Sequence, residues 1–313
     1  MAVTERPRIL STVSEPGPAG GTVKFRFGLE DGAAVETVAV PMFGGTYTAC
    51  VSSQVGCARL CAFCETGTAG LSRNLAAAEI VGQVEAAAEA LGIRFRNVVF
   101  MGMGEPLDNP EGVFGALEVL RDPRGLSYAQ ERITVCTAGH VEGIRRLGAL
   151  GLRRLNLSVS LAAARDELRD RLMPINRIWP LADLAAALEA YPRRRNFAFG
   201  VNYCLIPGLN DLPEDLDAVA AFTVRIGRSL VNVIPYNPGR HPIGRTPSEP
   251  EIEAFLAGLA ARGVFVRRRI EKGRSLMAAC GQLGGGSAGN PGKSESPTAP
   301  ESPVEPPLAS QAS

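Results

Sequence analysis

Strand and helix patterns alternate along most of the chain, and this rhythm limits the folds open to it. The predicted strands are 47–53, 97–102, 132–137, 153–161, 197–206, 230–235 and 264–270. The predicted helices are 76–91, 111–121, 141–149, 166–190 (broken near Pro174 and Pro180), 213–227 and 249–262. Regular alternation favours a parallel sheet with right-handed crossovers. Six strand–helix units are too few for a closed eight-stranded barrel. We therefore expect an α/β fold, a partial (β/α)6 barrel that is open on one side.

The residues outside this rhythm fall into three segments. Residues 22–42 alternate apolar and polar side chains around Asp31-Gly32, which predicts a β-hairpin extension over 22–45. Residues 1–21 are polar and rich in Pro and Gly, so we expect a flexible N-terminus. Residues 284–313 are mainly Gly, Ser, Pro and Ala, and this composition predicts a disordered tail. The predicted barrel occupies 46–283.

Composition and cysteine usage favour a cytoplasmic protein. No apolar run is long enough to span a membrane, and the N-terminus lacks the apolar core of a signal peptide. The seven cysteines are an odd number and three of them are close together, which is typical of reduced thiols. We therefore expect no membrane contact.

Three of the cysteines, Cys57, Cys61 and Cys64, form a C-x3-C-x2-C pattern in the run GCARLCAFCETG. Three thiolates are one fewer than an ordinary iron–sulfur site uses, so a 4Fe–4S cluster held this way keeps one iron open for substrate. Phe63 adds apolar cover that would shield such a cluster. The alternatives are a zinc site or three buried thiols. The absence of a nearby His in the sequence disfavours zinc.

Further motifs follow other predicted strands. Ligands in parallel α/β folds bind at the carboxyl ends of the strands, so these motifs are expected to share one rim with the cysteines. They are MGMGEP (101–106), CTAG (136–139), Ser158 to Ser160 and PYNP (235–238). Each motif alone is weak, because glycines after a strand usually make only a turn. Their common placement is what indicates a site.

The cysteine pattern resembles that of radical S-adenosylmethionine (SAM) enzymes. From Val35 to Leu283 the chain resembles, more specifically, the radical-SAM adenosine methyltransferases that modify 23S rRNA and, in some members, tRNA. The matching runs are VETVAVP, CVSSQVGCARLCAFCETGTAG, RNLAAAEIVGQV, NVVFMGMGEPLDN, ITVCTAG, GIRRL, DELRDRLMPIN, VNVIPYNP and AACGQL. The resemblance implies two cofactors, a 4Fe–4S cluster on Cys57, Cys61 and Cys64, and SAM. It also implies an RNA substrate and an electron donor such as flavodoxin or ferredoxin.

The resemblance implies a reaction as well, methylation of a ring carbon of adenosine, carbon 2 in preference to carbon 8. Cys280 would accept a methyl group from one SAM by nucleophilic displacement. A 5′-deoxyadenosyl radical from a second SAM would then activate that methyl group for addition to the adenine ring. Cys50 would release the product by attack on sulfur, leaving a disulfide with Cys280. Glu36 of the VETV run would accept the proton that leaves the ring.

Residues implied to contact SAM match the family pattern with two departures. Gly104 and Glu105 match the pair that binds the methionine amino end, and Asn237 matches the expected Asn. Cys136 replaces a family Ser. Ala162 replaces the His of a Ser-Leu-His run, which leaves Ser160 and Leu161 in place.

Two features leave the substrate open. Family members usually carry a helical RNA-gripping domain before the hairpin, whereas only residues 1–21 precede it here, so we expect that domain to be missing. Basic clusters at Arg153–Arg154, Arg193–Arg195 and Arg267–Arg269 would suit phosphates, although such clusters are more often solvated rims. One alternative is the same chemistry on a small molecule or peptide. Another is a non-catalytic iron–sulfur protein, in which Cys50, Cys280 and Glu36 would have no purpose.

Overall fold

The computed structural model of the protein describes residues 6–17, 20–68, 70–270, 272–273 and 275–284. Its strands are β1 (Arg8–Glu15), β2 (Thr22–Gly28), β3 (Ala34–Pro41), β4 (Tyr47–Cys50), β5 (Gln54–Gly56), β6 (Leu71–Asn74), β7 (Asn97–Phe100), β8 (Ile133–Thr137), β9 (Asn156–Ser160), β10 (Phe199–Leu205), β11 (Ser229–Pro235) and β12 (Val266–Arg268). Its helices are α1 (Glu65–Thr68), α2 (Ala77–Leu91), α3 (Pro110–Arg121), α4 (Val141–Ala149), α5 (Asp166–Leu172), α6 (Leu181–Glu189), α7 (Pro213–Ile226) and α8 (Glu249–Ala261).

Ten of these strands form one sheet in the order β1-β2-β3-β4-β7-β8-β9-β10-β11-β12. Pairing is antiparallel from β1 to β4 and parallel from β4 to β12. The order follows the chain, as consecutive right-handed crossovers require. The predicted α/β partial barrel of parallel strands is confirmed.

Alternation along the parallel strands separates a dry face from a polar one. Val98, Val135, Val159 and Val201 are fully buried in the hydrophobic core. The intervening positions of the later strands carry Ser, Asn and Arg, among them a row made by Asn202, Asn232 and Arg267. β-Branched residues pack well on a pleated surface, which explains the core face. The polar face is the one available to ligands. In the described part of the chain no helix is long and apolar enough to cross a membrane.

The strand β1 and the small sheet formed by β5 and β6 were not predicted from the sequence. Arg8–Glu15 lies within the segment expected to be flexible, yet it pairs with Thr22–Gly28 and extends the hairpin by a strand, so that expectation is wrong for these residues. Most side chains of this strand are exposed, so backbone hydrogen bonds rather than an apolar pattern specify it. Gln54–Gly56 and Leu71–Asn74 form a separate two-stranded sheet at the base of the cysteine loop. The predicted tail, apart from Gly284, lies outside the described residues.

Candidate active site

The loop that carries the three cysteines is closed at its base by β5 and β6. The amide of Cys57 donates to the carbonyl of Gly70 at 2.9 Å, and the amide of Cys64 donates to the carbonyl of Cys61 at 3.0 Å. Gly56 has a φ of 79°, and a Cβ there would lie 1.9 Å from the Gly70 carbonyl oxygen, so only glycine fits. The loop geometry therefore depends on this close approach.

Burial and mutual proximity both act on the pKa values of the three thiols. Burial raises the pKa of Cys57 to about 12 and raises the pKa of Cys61 and Cys64 as well. The other two thiols raise the pKa of Cys61 further, which shows that all three lie within electrostatic reach. Within the described ranges no group of three His, Cys, Asp or Glu side chains is arranged to hold one metal ion. A set of three thiols fits a 4Fe–4S cluster with one open iron better than a structural zinc site, which uses four ligands.

An ion pair fastens the cysteine loop to the loop after β7. Arg59 binds Asp108 through two hydrogen bonds, Nε to Oδ2 at 2.5 Å and Nη2 to Oδ1 at 2.7 Å. The Nε2 atom of His140 lies 3.2 Å from Oδ1 of the same carboxylate. A bidentate, largely buried pair of this kind restrains both loops.

Gly104 and Glu105 connect neighbouring rim loops. A Cβ on Gly104, whose φ is 98°, would lie 2.6 Å from the Cβ of Gln54. The buried Glu105 carboxylate accepts hydrogen bonds from the amides of Leu107 at 3.1 Å and Ala138 at 2.7 Å. Burial raises the pKa of Glu105, and these amides oppose that effect. Gly104 and Glu105 therefore hold neighbouring loops together at the carboxyl ends of the strands. They also lie where the sequence predicts a contact with SAM.

Cys136 and the Ser160-Leu161-Ala162 run lie side by side. The Cys136 Sγ and Ser160 Oγ atoms are 3.8 Å apart, and Asn202 Nδ2 donates to that sulfur at 3.3 Å. The amide of Leu161 donates to the Asn202 carbonyl at 2.8 Å. Ala162, where the family has His, adopts a left-handed conformation with a φ of 53°. Ala162 therefore occupies the position of the family His in this loop but lacks the imidazole ring.

Arg169 supports this run from below and was not identified from the sequence. Its fully buried guanidinium donates to the carbonyls of Leu161 at 3.2 Å, Ser160 at 3.2 Å and Ala138 at 2.6 Å. Burial lowers the pKa of Arg169 to about 10, while the nearby Cys61 opposes that shift. A buried cation thus lies beside both the cysteine loop and the predicted SAM contacts.

Asn237 presents an unsatisfied acceptor to the site. Its side chain is buried, and its Nδ2 donates to the Pro235 carbonyl at 3.3 Å. Its Oδ1 has no hydrogen-bond partner among the described residues. A buried acceptor left without a partner costs on the order of 1–3 kcal/mol. A ligand that donates to this oxygen would remove that cost, which fits the predicted SAM contact.

A cavity of about 750 Å³ occupies the polar face of the sheet. The residues that line it include Cys50, Cys64 and Cys280, together with Asn237 and Arg269. Burial raises the pKa of Cys50 to about 12, and Cys280 adds to that effect, whereas Arg269 opposes it. The neighbouring thiols, Cys280 foremost, raise the pKa of Arg269. The guanidinium therefore lies within electrostatic reach of both thiols to which the sequence assigns chemistry.

The segment 275–284, which we call the Cys280 segment, is docked against the cysteine loop. The amide of Glu65 donates to the Gly281 carbonyl at 2.7 Å, and Thr66 Oγ1 donates to the Leu283 carbonyl at 2.7 Å. Gly281 has a φ of 86°, and a Cβ there would lie 2.9 Å from the carbonyl oxygen of Phe63. This contact brings the exposed Cys280 next to the loop of Cys64.

Glu36 lies on the other side of the same segment. Its Oε1 is 3.3 Å from Lys24 Nζ, and its Oε2 accepts a hydrogen bond from the amide of Gly284 at 2.8 Å. The structure thus brings Glu36, Cys50, Cys280 and the cysteine loop to one region. The Cys50–Cys280 disulfide that the resemblance implies is absent, since all seven cysteines, which fall within the described ranges, are free.

Glu65 was also not predicted as a site residue from the sequence, although it directly follows Cys64. Its buried carboxylate accepts a hydrogen bond from the amide of Arg240 at 2.6 Å. A Cβ on Gly239 would lie 1.9 Å from that carboxylate, so the glycine makes room for it. Glu65 consequently ties the PYNP loop to the cysteine loop. A charged residue flanking a motif was the only available signal.

The fold and the cysteine loop define a radical SAM protein, an enzyme class that uses a 4Fe–4S cluster and SAM. A family model described as the radical SAM superfamily matches residues 51–222. A radical SAM methyltransferase from Sphaerobacter thermophilus has a similar crystal structure. Its TM-score is 0.83 at 38% identity, with 90% of this chain and 82% of that chain covered.

Proteins that are similar in sequence to this chain identify a family within the radical SAM class. The probable dual-specificity RNA methyltransferase RlmN of Akkermansia muciniphila is 43% identical over 277 residues, covering 85% of this chain and 76% of that protein. The dual-specificity RNA methyltransferase RlmN of Pelobacter propionicus is 46% identical over 267 residues, covering 85% and 75%. The chain belongs to the RlmN family of radical SAM methyltransferases.

Proposed function

We propose that the protein methylates a ring carbon of adenosine, carbon 2 in preference to carbon 8, in rRNA and in tRNA. The observation that carries the proposal is the shared cavity of Cys50, Cys280 and Cys64. A methyl-carrying thiol has to reach both the cofactors and the substrate, and Cys280 is exposed at the edge of that cavity. The names of the relatives, dual-specificity RNA methyltransferases, support RNA as the substrate.

The cofactor-holding roles follow the residues already described. Cys57, Cys61 and Cys64 would ligate the cluster, and Asn237 would accept a hydrogen bond from SAM through its free Oδ1. Gly104, Glu105, Cys136, Ser160, Leu161 and Ala162 would form the remaining SAM rim. When bound, the cluster and SAM supply the methyl group and the 5′-deoxyadenosyl radical that activates it.

The catalytic roles fall on three side chains. Cys280 Sγ accepts the methyl group and carries its carbon to the adenine ring. Glu36 accepts the proton that the ring carbon loses, through one of its carboxylate oxygens. Cys50 Sγ, after losing its proton, then attacks Cys280 Sγ; the bond between that sulfur and the transferred carbon breaks, and the carbon takes up a proton to become the methyl group of the released base. A transient disulfide is left. The two electrons that it has lost leave earlier, one with the hydrogen atom that the 5′-deoxyadenosyl radical removes and one that the adduct would return to the cluster. Burial raises the pKa of Cys50 to about 12, which disfavours its thiolate and therefore its methylation in place of Cys280.

Basic residues beside the cavity support a polyanionic substrate. Arg267, Arg268, Arg269 and Lys272 all line it. Pairing does not distinguish the basic clusters, since Arg268 pairs with Glu249 and Arg154 pairs with Glu131. The position of the cluster at 267–269 on the cavity lining makes it the one best placed to contact phosphates next to a target base. A small-molecule substrate would not need this rim.

Direct analysis of RNA tests the proposal. The reconstituted wild-type protein is incubated anaerobically with SAM, a reductant and transcribed 23S rRNA or tRNA, and the nucleosides are analysed by mass spectrometry. We expect 2-methyladenosine, and none with Cys280→Ala. The appearance of 8-methyladenosine would show that the protein methylates carbon 8 rather than carbon 2. SAM cleavage without any methylated nucleoside would overturn RNA as the substrate and favour the small-molecule or peptide alternative.

A further inference from the structure

Lys24 bridges the predicted proton acceptor and the Cys280 segment. Its Nζ atom lies 3.3 Å from Glu36 Oε1 and donates to the carbonyl of Met277 at 3.3 Å. The side chains of Lys24 and Glu36 are only 13% and 7% exposed. Burying an ion pair costs desolvation free energy unless both partners are fully hydrogen-bonded. Stability of the fold alone is therefore a weak reason for this buried pair.

Strand register explains why the two side chains meet. On β2 and β3, Lys24 is paired with Val38 and Glu36 is paired with Arg26, which makes Lys24 and Glu36 diagonal neighbours. Diagonal neighbours on one face lie within reach of a long side chain. The other face of β2 carries the buried Val23, Phe25 and Phe27. Lys24 is thus directed away from the core and towards the Cys280 segment.

The pair holds the Cys280 segment on both sides of the thiol. Lys24 binds the carbonyl of Met277, three residues before Cys280, and Glu36 binds the amide of Gly284, four residues after it. The hairpin therefore contacts both ends of the short stretch that carries the methyl acceptor. The distance between Glu36 and Cys280 is restrained by the same two side chains.

We propose that Lys24 is a positioning residue that fixes the Glu36 carboxylate and the Cys280 segment relative to one another. This inference rests on the proposed function. The ammonium group lies 3.3 Å from one oxygen of the buried carboxylate and is tied to the Met277 carbonyl, so it holds that carboxylate in one place beside the Cys280 segment. Loss of that charge would leave methyl loading of Cys280 possible but would slow the step at Glu36.

Three variants test the role. Lys24→Met removes the charge and keeps most of the apolar stem, and Lys24→Arg keeps the charge. Arg8→Met is a control on an exposed residue of β1, the strand that pairs with β2. We expect Lys24→Met to lower kcat on the order of tenfold or more, with KM for RNA within about twofold. The covalent RNA–protein adduct should accumulate, and Lys24→Arg should restore most of the rate. A wild-type kcat in Lys24→Met would overturn the proposal.

A double-mutant cycle distinguishes a positioning role of Lys24 from a general loss of structure. If Lys24 acts through Glu36, adding Lys24→Met to Glu36→Gln should cost little further activity. Multiplicative losses would contradict the proposal. Hydrogen exchange of residues 275–284 in the RNA-free protein gives an independent readout, and we expect faster exchange in Lys24→Met than in Arg8→Met. If the wild type methylates no RNA, the proposed function fails, while unchanged exchange in Lys24→Met overturns the Lys24 role itself.

Discussion

The backbone amide of Glu65 donates a hydrogen bond of 2.7 Å to the carbonyl of Gly281. Glu65 directly follows Cys64, and Gly281 directly follows Cys280. One hydrogen bond therefore joins the loop predicted to hold the cluster to the segment predicted to carry the methyl group. The two parts of the site are separated by more than half of the chain, so this contact exists only in the folded protein.

Iron content tests the cysteine loop. We expect anaerobic reconstitution to give about four iron atoms per chain, with an absorption spectrum that changes on addition of SAM. Replacement of Cys57, Cys61 and Cys64 by Ala should abolish both. Cys204→Ala is the matched control, because this half-buried thiol packs against a small apolar cluster and should retain full iron. Full iron in the triple variant would contradict the ligand assignment.

Substitution of Cys50 and of Cys280 should produce different failures. Cys280→Ala removes the methyl acceptor, so neither S-methylcysteine nor a covalent adduct can form. Cys50→Ala leaves methyl loading intact but prevents release, so the protein should be isolated cross-linked through Cys280. Peptide mass spectrometry distinguishes these species. If Cys50→Ala shows neither S-methylcysteine nor an adduct while the wild type cleaves SAM, the two-cysteine mechanism does not operate.

Thiol alkylation should report the different environments of the two cysteines. Cys280 is exposed, whereas burial raises the pKa of Cys50 to about 12. Only the thiolate reacts, so at about pH 8 iodoacetamide should label Cys280 first and Cys50 hardly at all. The labelling rate of Cys50 should rise with pH throughout the range below its pKa. Since Arg269 lowers that pKa, Arg269→Met should slow Cys50 labelling further, and faster labelling would contradict the assigned contact.

Asn237 should contribute directly to SAM affinity. Its buried Oδ1 is without a partner in the described part of the chain. We expect Asn237→Leu to weaken SAM binding by roughly 10- to 100-fold, the value of one buried hydrogen bond. Asn237→Asp keeps an acceptor and should lose less. Equilibrium dialysis of the reconstituted protein measures both, and equal affinities in the leucine variant and the wild type would exclude the contact.

Gly281 should be required for docking of the Cys280 segment. Gly281→Ala adds the strain of a positive φ and places a Cβ 2.9 Å from the Phe63 carbonyl oxygen. Gly32→Ala is a matched control, because its φ of 81° imposes similar strain with no atom within 4 Å of the added Cβ. We expect both to lower thermal stability, and only Gly281→Ala to impair S-methylation of Cys280. Equal S-methylation in the two variants would show that the close approach is dispensable.

Local patterns in the sequence were sufficient to predict the barrel, and they also indicate where the candidate site lies. Val98, Val135 and Val159 recur in short apolar runs, and such runs determine strands through side-chain packing wherever they lie. The spacing of Cys57, Cys61 and Cys64 is likewise a local property. The strand at Arg8–Glu15 lacked such a signal, since its exposed side chains show no alternation and backbone pairing alone places it.

Tertiary structure alone decided how distant residues combine. Glu36 and Gly284 are 248 residues apart and form a hydrogen bond. Lys24 and Met277 are 253 residues apart. Arg169 reads as one more charge in a polar helix, but folding buries it against three carbonyls of the rim. A local pattern reports which face of an element is apolar, whereas these contacts depend on the distances and strand registers set by the whole sheet.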